Sequence, residues 1–437
     1  MKVSKYNFFY EYRDDNSKYI AYNALSNSLA LLEKEKYVEL EEFTNCRKVI
    51  NDKSFIEDLK KGGYLIEDNF NELEFLRFNM FKSRLDKDTL SLTIAPTSDC
   101  NFRCIYCYEK DAIKPCYMSN ETEKKIVEYV KKNIKLIYKL TITWYGGEPL
   151  LAKETIIRLS KEFKKLCIEN DVNYDSNMIS NGYLFKNDDD EFFKETNISA
   201  IQITLDGDEV THNTRRPLVG GRPTYNQIID NLKNMIKPNC KITIRINVDR
   251  TNMNGIYSVI DDLEEKKMLK DLRVYLGKVN NINDAYNDET CLSSSEFENL
   301  RYDFDSYLVN KGLDVDAFIN YPMLIGNVCC CDRINSYVIN ADGSLYKCWD
   351  EIGRDEKSLG NIKEIDLFED MPVNLSYVAY DPTSSNKCKE CNLLPICMGG
   401  CHYNRINKEE ENCEEKFRQL ENDLVMTIQG IRKNNIE

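Results

Sequence analysis

Apolar and polar residues follow a regular order along most of the chain. From about residue 90, short β-rich runs such as "LSLTIAP" and "KLTITWY" alternate with longer segments of helical periodicity such as "NETEKKIVEYVKKNI". Six such strand–helix units follow one another up to about residue 290. This order predicts an α/β fold with a parallel sheet and outer helices, either an open sheet or a barrel. The carboxyl ends of the strands carry the active groups in such folds.

The first ninety residues have a different order of elements. "KYNFFYEY" and "KYIAYNALSNSLALL" predict strands, and "KYVELEEF", "SFIEDLKKGG" and "NELEFLRFNMFKS" predict helices, as in a small α+β domain. We therefore expect four regions: a small domain at residues 1–87, the strand–helix domain at 88–290, a mostly helical bridge at 291–325 and a cysteine-rich domain at 326–437.

Charge and hydropathy exclude two classes of partner. The net charge is −14, and no basic stripe flanked by aromatic residues occurs, so we expect no nucleic-acid partner. No apolar run approaches the roughly 20 residues that a membrane span needs, so we expect no membrane partner. The start, "MKVSKYNFFYEYRDD", has no apolar signal core, and we expect a cytoplasmic protein.

Cysteine is the unusual component of this composition. The chain has 17 cysteines but only two histidines, His212 and His402. Thiols in a reducing cytoplasm bind metal more often than they form disulfides. Thiolates without imidazole favour zinc held by four cysteines, or iron–sulfur clusters.

Three cysteines lie on one short loop directly after the strand "LSLTIAP": Cys100, Cys104 and Cys107. Three thiolates on a four-iron cluster leave the fourth iron open for a substrate or cofactor. A structural zinc ion needs a fourth protein ligand, and the next cysteine, Cys116, is nine residues further on. The spacing therefore favours an open iron site over zinc.

This loop, "CNFRCIYC", with Tyr106 before the third cysteine, resembles the signature of the radical S-adenosylmethionine (SAM) enzymes. The resemblance covers roughly residues 88–290 and implies a partial (β/α)6 barrel of the TIM type. It further implies that the three cysteines hold a 4Fe-4S cluster whose open iron chelates SAM. Cleavage of SAM then yields a 5′-deoxyadenosyl radical that abstracts a hydrogen atom from a substrate.

Further motifs match the family in strand order: "GGEP" after the second strand, "SNG" at the end of the third and "TLDG" at the end of the fourth. The resemblance implies that "GGEP" contacts the SAM amino group and that "SNG" lies near the ribose. Thr204 and Arg216 match positions that hold the SAM carboxylate, a role that suits a guanidinium. The resemblance assigns SAM binding to Tyr106, Gly146, Gly147, Glu148, Pro149, Ser180, Asn181, Thr204, Arg216 and Asn247.

A second cysteine pattern occupies the last hundred residues. "CCCDRINSYVINADGSLYKC" and "CKECNLLPICMGGC" resemble the SPASM extension, which houses two auxiliary 4Fe-4S clusters; a pair of zinc ribbons is the alternative. By resemblance, the first auxiliary cluster takes Cys329, Cys348 and Cys401, and the second takes Cys388, Cys391, Cys397 and Cys413. Either Cys330 or Cys331 completes the first auxiliary cluster, or that cluster keeps an open iron.

The resemblance implies an oxidoreductase with SAM, three 4Fe-4S clusters and an electron donor such as flavodoxin or ferredoxin. Residues 1–87 resemble the domain that binds a leader peptide as an added strand in enzymes that modify ribosomally made peptides; a structural cap is the alternative. This favours a maturase that acts on a precursor peptide with a leader and installs a thioether or carbon–carbon crosslink.

The competing interpretation is an anaerobic sulfatase-maturing enzyme, which oxidises a cysteine or serine to formylglycine. In that group the catalytic aspartate directly follows the cysteine equivalent to Cys348. This chain has Trp349 at that position and Asp350 one residue later. A non-enzymatic iron–sulfur electron carrier is a third interpretation, but it has no use for "GGEP" and "TLDG".

Overall fold

The computed structural model describes residues 1–45, 49–110, 115–186, 189–236, 240–314, 321–364, 375–407 and 413–434. The strands in these ranges are β1 (Lys2–Val3), β2 (Asn7–Glu11), β3 (Lys18–Asn23), β4 (Ser28–Glu33), β5 (Leu65–Ile66), β6 (Thr89–Ile94), β7 (Lys139–Trp144), β8 (Asn173–Ser180), β9 (Ile198–Thr204), β10 (Lys241–Val248), β11 (Leu272–Lys278), β12 (Ser336–Ile339) and β13 (Leu345–Tyr346). The helices are α1 (Lys34–Thr44), α2 (Lys53–Lys61), α3 (Glu72–Leu85), α4 (Asn120–Asn133), α5 (Lys153–Asn170), α6 (Asp190–Thr196), α7 (Glu209–Arg215), α8 (Tyr225–Met235), α9 (Ile256–Glu265), α10 (Ser294–Asn310), α11 (Leu375–Ala379), α12 (Leu394–Cys397), α13 (His402–Asn407) and α14 (Glu414–Asn434).

The chain divides into two compact units, each made of more than one segment. The first unit contains Met1–Leu85, Asp314–Arg333 and Ser376–Glu437, and the second contains Asp86–Leu313 and Ile334–Leu375. The predicted division into four regions stays a prediction. Across the described ranges, helices are all too short or too polar to cross a membrane.

The second unit contains a sheet in the order β11-β10-β9-β8-β7-β6-β12-β13. Strands β6 to β11 are the six predicted strands, and each is parallel to its neighbours. This arrangement confirms the α/β prediction and its partial-barrel strand order. The sheet is longer than predicted, because β12 pairs in parallel with β6, and β13 pairs antiparallel with β12.

Alternate burial of apolar side chains orients the strands of the second unit, and side-chain caps begin its helices. In β10, Ile242, Ile244 and Ile246 are each at most 2% exposed, as period-two burial requires. Ser119 caps α4 by accepting a hydrogen bond from the Thr122 backbone N–H. Because the strands are parallel, the loops after β6, β7, β8 and β9 all leave from the same edge, and these loops carry the predicted motifs.

The first unit combines the predicted strands and helices of the N-terminal region with the C-terminal helices. Strands β2, β3 and β4 form an antiparallel sheet with β3 in the centre. One apolar core contains Tyr6, Tyr22 and Leu76 from the N-terminal region together with Leu394 and Leu424 from the C-terminal region. The N-terminal elements therefore share their core with residues that are more than three hundred positions away in the sequence.

Candidate active site

One pocket in the second unit lies at the carboxyl ends of β6 to β9. Its lining includes ten of the residues predicted from the sequence: Cys100, Cys104, Tyr106, Cys107, Gly146, Gly147, Ser180, Asn181, Thr204 and Arg216. The predicted residues Glu148, Pro149 and Asn247 are not part of the lining. The pocket also contains residues that sequence reasoning did not single out: Phe102, Tyr108, Glu109, Tyr145 and Ile179.

The cysteine loop is held by backbone hydrogen bonds to the segment that follows α7. Arg103 N–H donates to the Pro217 carbonyl at 2.9 Å, and Ile105 N–H donates to the Arg215 carbonyl at 3.0 Å. In the reverse direction, the Val219 N–H of this segment donates to the Asn101 carbonyl of the cysteine loop at 2.9 Å. The thiols and the Arg215–Arg216 pair are therefore positioned by one shared backbone contact.

The three thiols suit a group that is larger than a single ion. Within the described ranges, no three Cys, His, Asp or Glu side chains converge closely enough to hold one metal ion. Cys100, Cys104 and Cys107 instead line the wall of the pocket, and Phe102 N–H points at the Cys100 sulfur at 3.4 Å. Burial raises the pKa of Cys107 to about 12, so this thiol stays protonated unless a metal replaces its proton. A four-iron cluster fits this donor set, whereas a tetrahedral zinc ion does not.

The glycine pair after β7 is required by the close approach of the cysteine loop. A Cβ on Gly147 would lie 2.2 Å from the Asp99 carbonyl oxygen, and one on Gly146, whose φ is +104°, would lie 2.6 Å from the Thr97 carbonyl oxygen. The backbone N–H of the next residue, Glu148, donates a hydrogen bond to the Asp99 backbone carbonyl at 2.9 Å. The resemblance implies that "GGEP" contacts SAM, and the structure adds the close contact between the two loops as a reason for the glycines.

Glu148 joins the loops after β7 and β8. Its fully buried carboxylate accepts hydrogen bonds from the Ser180 hydroxyl at 2.9 Å and from the Asn181 N–H at 2.8 Å. Burial raises the pKa of Glu148 to about 6, although these donors oppose the shift. Both of its oxygens are thus engaged by the protein, while Ser180 and Asn181 are held against the pocket. Pro149 begins a short 3-10 turn.

Tyr106 is the centre of a buried hydrogen-bond network behind the cysteine loop. Its hydroxyl donates to Asp206 at 2.6 Å and accepts from Arg216 at 2.6 Å and from Asn247 at 3.0 Å. Burial raises the pKa of Tyr106 well above its usual value, so the hydroxyl keeps its proton. Asn247, predicted as a pocket residue, therefore acts on the pocket through Tyr106.

Sequence reasoning missed the acidic partners of this network. Arg215 forms ion pairs with Asp206 at 3.4 Å and with Asp249 at 2.9 Å, and all three side chains are at most 3% exposed. Asp206 lies inside the quoted motif "TLDG" and Arg215 stands next to Arg216, so the signal was present in the sequence. A buried aspartate in that motif needs a cation, and the adjacent arginine pair supplies one.

Arg216 provides the test of whether the pocket suits SAM. The side chain is 7% exposed, and among the described residues its Nε has no hydrogen-bond partner. A buried guanidinium with an unused donor at a pocket fits a bound carboxylate, because charge-assisted hydrogen bonds satisfy both groups. Together with the three thiols, this arrangement fits a cluster with SAM beside it.

The buried Glu109 and the half-buried Tyr108 and Tyr145 form a second group on the pocket wall. The hydroxyls of Tyr108 and Tyr145 are hydrogen-bonded to each other. Burial raises the pKa of Glu109 to about 7, and hydrogen bonds from the two tyrosines oppose this shift. The sequence signal, the "YE" that follows the third cysteine, was not recognised.

The predicted auxiliary ligands are distributed over both units. In the first unit, Cys388, Cys397 and Cys413 lie close enough to Cys391 to raise its pKa, after burial as the main cause. Cys329 and Cys401 also belong to the first unit, whereas Cys348 belongs to the second. The Glu351 N–H donates to the Cys348 carbonyl at 3.2 Å, and the Cys348 N–H donates to the Glu351 carboxylate at 3.2 Å.

The "CCC" segment is held by a buried arginine. Cys329 and Cys331 have sulfur atoms 3.1 Å apart, and Cys331 is 2% exposed. Arg84, which is fully buried, lies 3.5 Å from the Asp332 carboxylate and 3.3 Å from the His402 ring nitrogen. This contact connects the segments that carry Cys331 and Cys401. That Cys330 or Cys331 completes the first auxiliary cluster, or that this cluster keeps an open iron, stays a prediction.

Comparisons with known proteins identify the family of this site. Residues 94–263 match the family described as the Radical SAM superfamily. A cysteine-type anaerobic sulfatase-maturating enzyme of Clostridium novyi is 27% identical over 72% of this chain and 89% of its own length. The radical SAM cyclopropyl synthase TigE of Paramaledivibacter caminithermalis is 21% identical over 97% of this chain and 96% of its own length.

Solved structures share the fold. Native anSMEcpe with bound AdoMet has a TM-score of 0.60 and 23% identity, and covers 80% of this chain and 100% of its own. Streptococcus suis SuiB bound to precursor peptide SuiA has a TM-score of 0.55 and 15% identity, and covers 94% of this chain and 97% of its own. The family implies SAM and a 4Fe-4S cluster as cofactors. Residues 94–263 are therefore a radical SAM domain, as the cysteine loop predicts.

Proposed function

We propose that this protein is a radical SAM maturase that installs a thioether or carbon–carbon crosslink in a ribosomally made precursor peptide. The extent of similarity supports this proposal over sulfatase maturation. By sequence, TigE matches 97% of the chain and the Clostridium novyi sulfatase-maturating enzyme 72%. By structure, SuiB matches 94% of the chain and anSMEcpe 80%. The sequence match to the Clostridium novyi enzyme leaves out more than a quarter of the chain. The proposed function gives that part of the chain a role, because a peptide maturase also has to bind a leader.

The three-stranded sheet of the first unit supports a leader-binding role. Among the described residues, β2 and β4 each pair only with β3, so each presents an unpaired edge. An extended peptide can add to such an edge through backbone hydrogen bonds, and pockets for alternate side chains then give specificity. Leader binding at residues 1–87 raises the concentration of the core peptide at the pocket.

The pocket residues have separate tasks in this proposal. Cys100, Cys104 and Cys107 hold a 4Fe-4S cluster, which together with SAM supplies a 5′-deoxyadenosyl radical. Arg216 and Thr204 would hold the SAM carboxylate, and Ser180 and Asn181, which Glu148 fixes by hydrogen bonds, would contact the ribose. Tyr106 and Asn247 orient Arg216 through hydrogen bonds.

The remaining assignments belong to the same proposal. The C-terminal cysteines would hold two auxiliary 4Fe-4S clusters, which would supply an acceptor for the electron that the peptide loses when the crosslink forms. Flavodoxin or ferredoxin supplies the reducing electron, and the protein acts in the cytoplasm.

One observation favours the formylglycine-forming alternative. Asp350 lies close enough to Glu109 to raise the pKa of that pocket carboxyl further, after burial as the main cause. Asp350 stands one residue later than the catalytic aspartate of the sulfatase-maturing enzymes, but its carboxylate still lies beside the pocket residue Glu109. Sulfatase maturation uses an aspartate near this position, so Asp350 is the candidate base in that alternative.

Mass spectrometry of two candidate substrates distinguishes the alternatives. The anaerobically reconstituted protein is incubated with SAM, a reductant and either a candidate precursor peptide taken from a neighbouring open reading frame or a sulfatase-derived peptide with a target cysteine or serine. We expect the first peptide to lose two hydrogen atoms per crosslink. Loss of an alkylatable thiol indicates a thioether, and retention indicates a carbon–carbon bond. If the sulfatase-derived peptide gains an aldehyde and the precursor peptide gains no crosslink, the proposed function is wrong and the protein is a sulfatase-maturing enzyme.

A further inference from the structure

The cysteine loop has an outer side that is exposed to solvent. Phe102 of the loop and Leu218 form an isolated antiparallel bridge, and both side chains are buried, at 1% and 7% exposure. Because side chains on paired extended segments alternate between two faces, the neighbours of these two residues face outward. On that outer face Arg103 and Val219 are exposed, and so is Ile105, two residues after Arg103. The loop that carries the three thiols therefore presents a surface of its own.

A short turn at residues 218–222 adds a second cation to this surface. The Leu218 N–H donates to the Arg222 carbonyl at 3.0 Å, and the Gly221 N–H donates to the Leu218 carbonyl at 2.9 Å. A Cβ built on either glycine at the tip, Gly220 or Gly221, would meet no atom within 4 Å, so the tip projects into solvent. The Arg222 side chain is exposed. We call the following four residues the outer patch: Arg103, Ile105, Val219 and Arg222.

The charge of the outer patch is opposite to that of the whole chain. Residues 100–108 and 210–229 contain four arginines and neither aspartate nor glutamate, although the chain has 73 acidic and 59 basic residues. Two of these arginines, Arg215 and Arg216, are buried and have partners inside the protein. The other two, Arg103 and Arg222, are exposed, and within the described ranges neither forms an ion pair. Two unpaired cations on one surface fit a partner with negative charge.

Arg103 is held directly over the loop. Its guanidinium donates to the Cys100 carbonyl at 2.6 Å and to the Phe102 carbonyl at 2.7 Å. Cys104, a predicted metal ligand, lies between Arg103 and Ile105 in the sequence. A partner that contacts these two residues is therefore within one residue of a thiol that lines the pocket.

We propose that the outer patch is the docking surface for a flavodoxin, an acidic one-electron carrier. The inference rests on the proposed function, in which such a carrier supplies the reducing electron. A flavodoxin presents the apolar edge of its flavin ring among acidic side chains. Ile105 and Val219, at 43% and 51% exposure, fit the apolar edge, and the two arginines fit the acidic side chains around it.

The outer patch is separate from the pocket in which SAM and the peptide would bind. The pocket lining includes Cys104 but none of the four patch residues. The cysteine loop thus has one face toward the pocket and another toward solvent. A carrier on the outer face leaves the pocket free, and substitutions in the patch leave the pocket wall intact.

The electron transfer balances as follows. The reduced flavodoxin gives up one electron and is oxidised by one step. The electron passes to the iron group at Cys100, Cys104 and Cys107, and it is consumed when SAM splits into methionine and the 5′-deoxyadenosyl radical. Without a peptide, this radical takes a hydrogen atom from a thiol such as dithiothreitol. The 5′-deoxyadenosine that forms therefore counts the electrons delivered.

The experiment compares two sources of electrons for the same full-length, reconstituted protein. SAM cleavage without peptide is driven either by flavodoxin with its NADPH-dependent reductase or by dithionite, a small reductant that needs no docking surface. The 5′-deoxyadenosine is measured at varied flavodoxin concentration, at about 50 mM and about 500 mM salt, because salt screens exposed charges. Binding of oxidised flavodoxin is measured separately by calorimetry, and iron content is determined on the same samples.

We expect Arg222→Glu and Val219→Glu each to raise the half-saturating flavodoxin concentration and its dissociation constant by about five- to tenfold at the lower salt. Each variant places a negative charge against an acidic partner, and the effect should shrink at the higher salt. The dithionite-driven rate and the iron content should stay within about twofold of wild type. The control, Lys270→Glu, makes the same change of net charge as Arg222→Glu at an exposed residue before β11, and should leave all four quantities unchanged.

The outcomes separate this proposal from the proposed function. If flavodoxin binds and reduces both variants as well as wild type, or does not bind wild type, the docking surface is wrong. If a variant loses iron, the calorimetry decides, because it needs no turnover: unchanged binding overturns the proposal and weakened binding supports it. If the variants slow cleavage driven by a ferredoxin but not by flavodoxin, the assigned partner is wrong. A missing crosslink on a precursor peptide would refute the proposed function and leave these measurements as they are.

Discussion

The guanidinium of Arg216 donates a hydrogen bond of 2.6 Å to the hydroxyl of Tyr106. The Tyr106 hydroxyl donates a hydrogen bond to the Asp206 carboxylate at 2.6 Å, so the cation at the pocket is fixed through a residue of the cysteine loop. The backbone contact between Ile105 and Arg215 runs beside it. With the proposed roles of these residues, binding of the cluster and binding of SAM would be coupled, because the same loop carries the thiols and orients the arginine.

Arg216→Ala should weaken SAM binding and leave the iron content unchanged. The variant removes a buried cation and touches no thiol, and a hydrogen bond to a charged group contributes about 1.5–3 kcal/mol, or roughly 10- to 150-fold in affinity. Equilibrium binding of SAM to the reconstituted protein and iron analysis measure the two quantities. Arg222→Ala, an exposed arginine in the same segment, is the control. SAM affinity equal to wild type would refute the assigned role.

The triple substitution Cys100→Ala, Cys104→Ala and Cys107→Ala should remove one cluster and abolish SAM cleavage. With three 4Fe-4S clusters, the protein should fall from about twelve irons to about eight. The auxiliary cysteines lie elsewhere in the sequence, so their spectroscopic signals should persist. Stoichiometric zinc without iron in the wild-type protein would contradict the whole site assignment.

Removing the cation between two buried aspartates should destabilise the second unit. Arg215→Ala leaves Asp206 and Asp249 buried without their partner, a change that costs about 3–5 kcal/mol. Burial acts to raise the pKa of Asp249, but the Thr251 hydroxyl and Arg215 outweigh it and hold this pKa below its usual value.

The sign of the pH effect follows from that shift. A lowered pKa stabilises the folded protein above the unfolded-state pKa, and this contribution is lost as the pH falls. In Arg215→Ala, Asp249 loses its cationic partner and protonates more easily, so the deficit relative to wild type should be smaller near about pH 4 than near about pH 7. Urea unfolding at both pH values measures it, with Arg215→Lys as the charge-conserving control. A deficit that does not change with pH would show that lost packing, not charge, is responsible.

The sequence predicts the parts of this molecule that depend on local patterns. The six strands β6 to β11 follow from apolar runs, and the positions of Cys100, Arg216 and Asn181 at one pocket follow from strand order, because loops after parallel strands meet at one edge. Strand β12 escaped prediction because its four residues, "SYVI", are too short to stand out, and its pairing with β6 bridges more than two hundred residues.

Contacts between distant segments explain the other omissions. Nothing near Tyr6 or Leu76 indicates that they pack with Leu424, since each segment is separately compatible with an independent domain. The contact between Tyr145 and Trp349 is similarly invisible, because neither residue belongs to a recognised motif. Asp206 is a different case: it stood in a quoted motif, and its need for a buried cation could have been inferred.

Leader dependence is the most direct test of the first unit, and the shared core determines how it has to be done. Deleting residues 1–85 would remove Tyr6, Tyr22 and Leu76 from the core that also holds Leu394 and Leu424. A loss of activity could then come from unfolding of the unit that carries Cys388 and Cys391, and it would not test leader binding. The test must therefore change the peptide and keep the full-length protein.

A core peptide without its leader should be modified with a kcat/KM lower by about 10²- to 10⁴-fold, because binding of the leader no longer concentrates the core at the pocket. The rate of SAM cleavage measured without any peptide serves as the reference, because the protein is the same in both reactions. Backbone N-methylation of the leader then tests the binding mode. In an added strand, alternate N–H groups face the sheet edge, so methylation should weaken binding at every second residue and leave the residues between unaffected. Calorimetry with two leaders methylated one position apart measures this difference. Equal binding of both would contradict strand addition at β2 or β4, and equal modification with and without leader would reduce the sheet to a structural element.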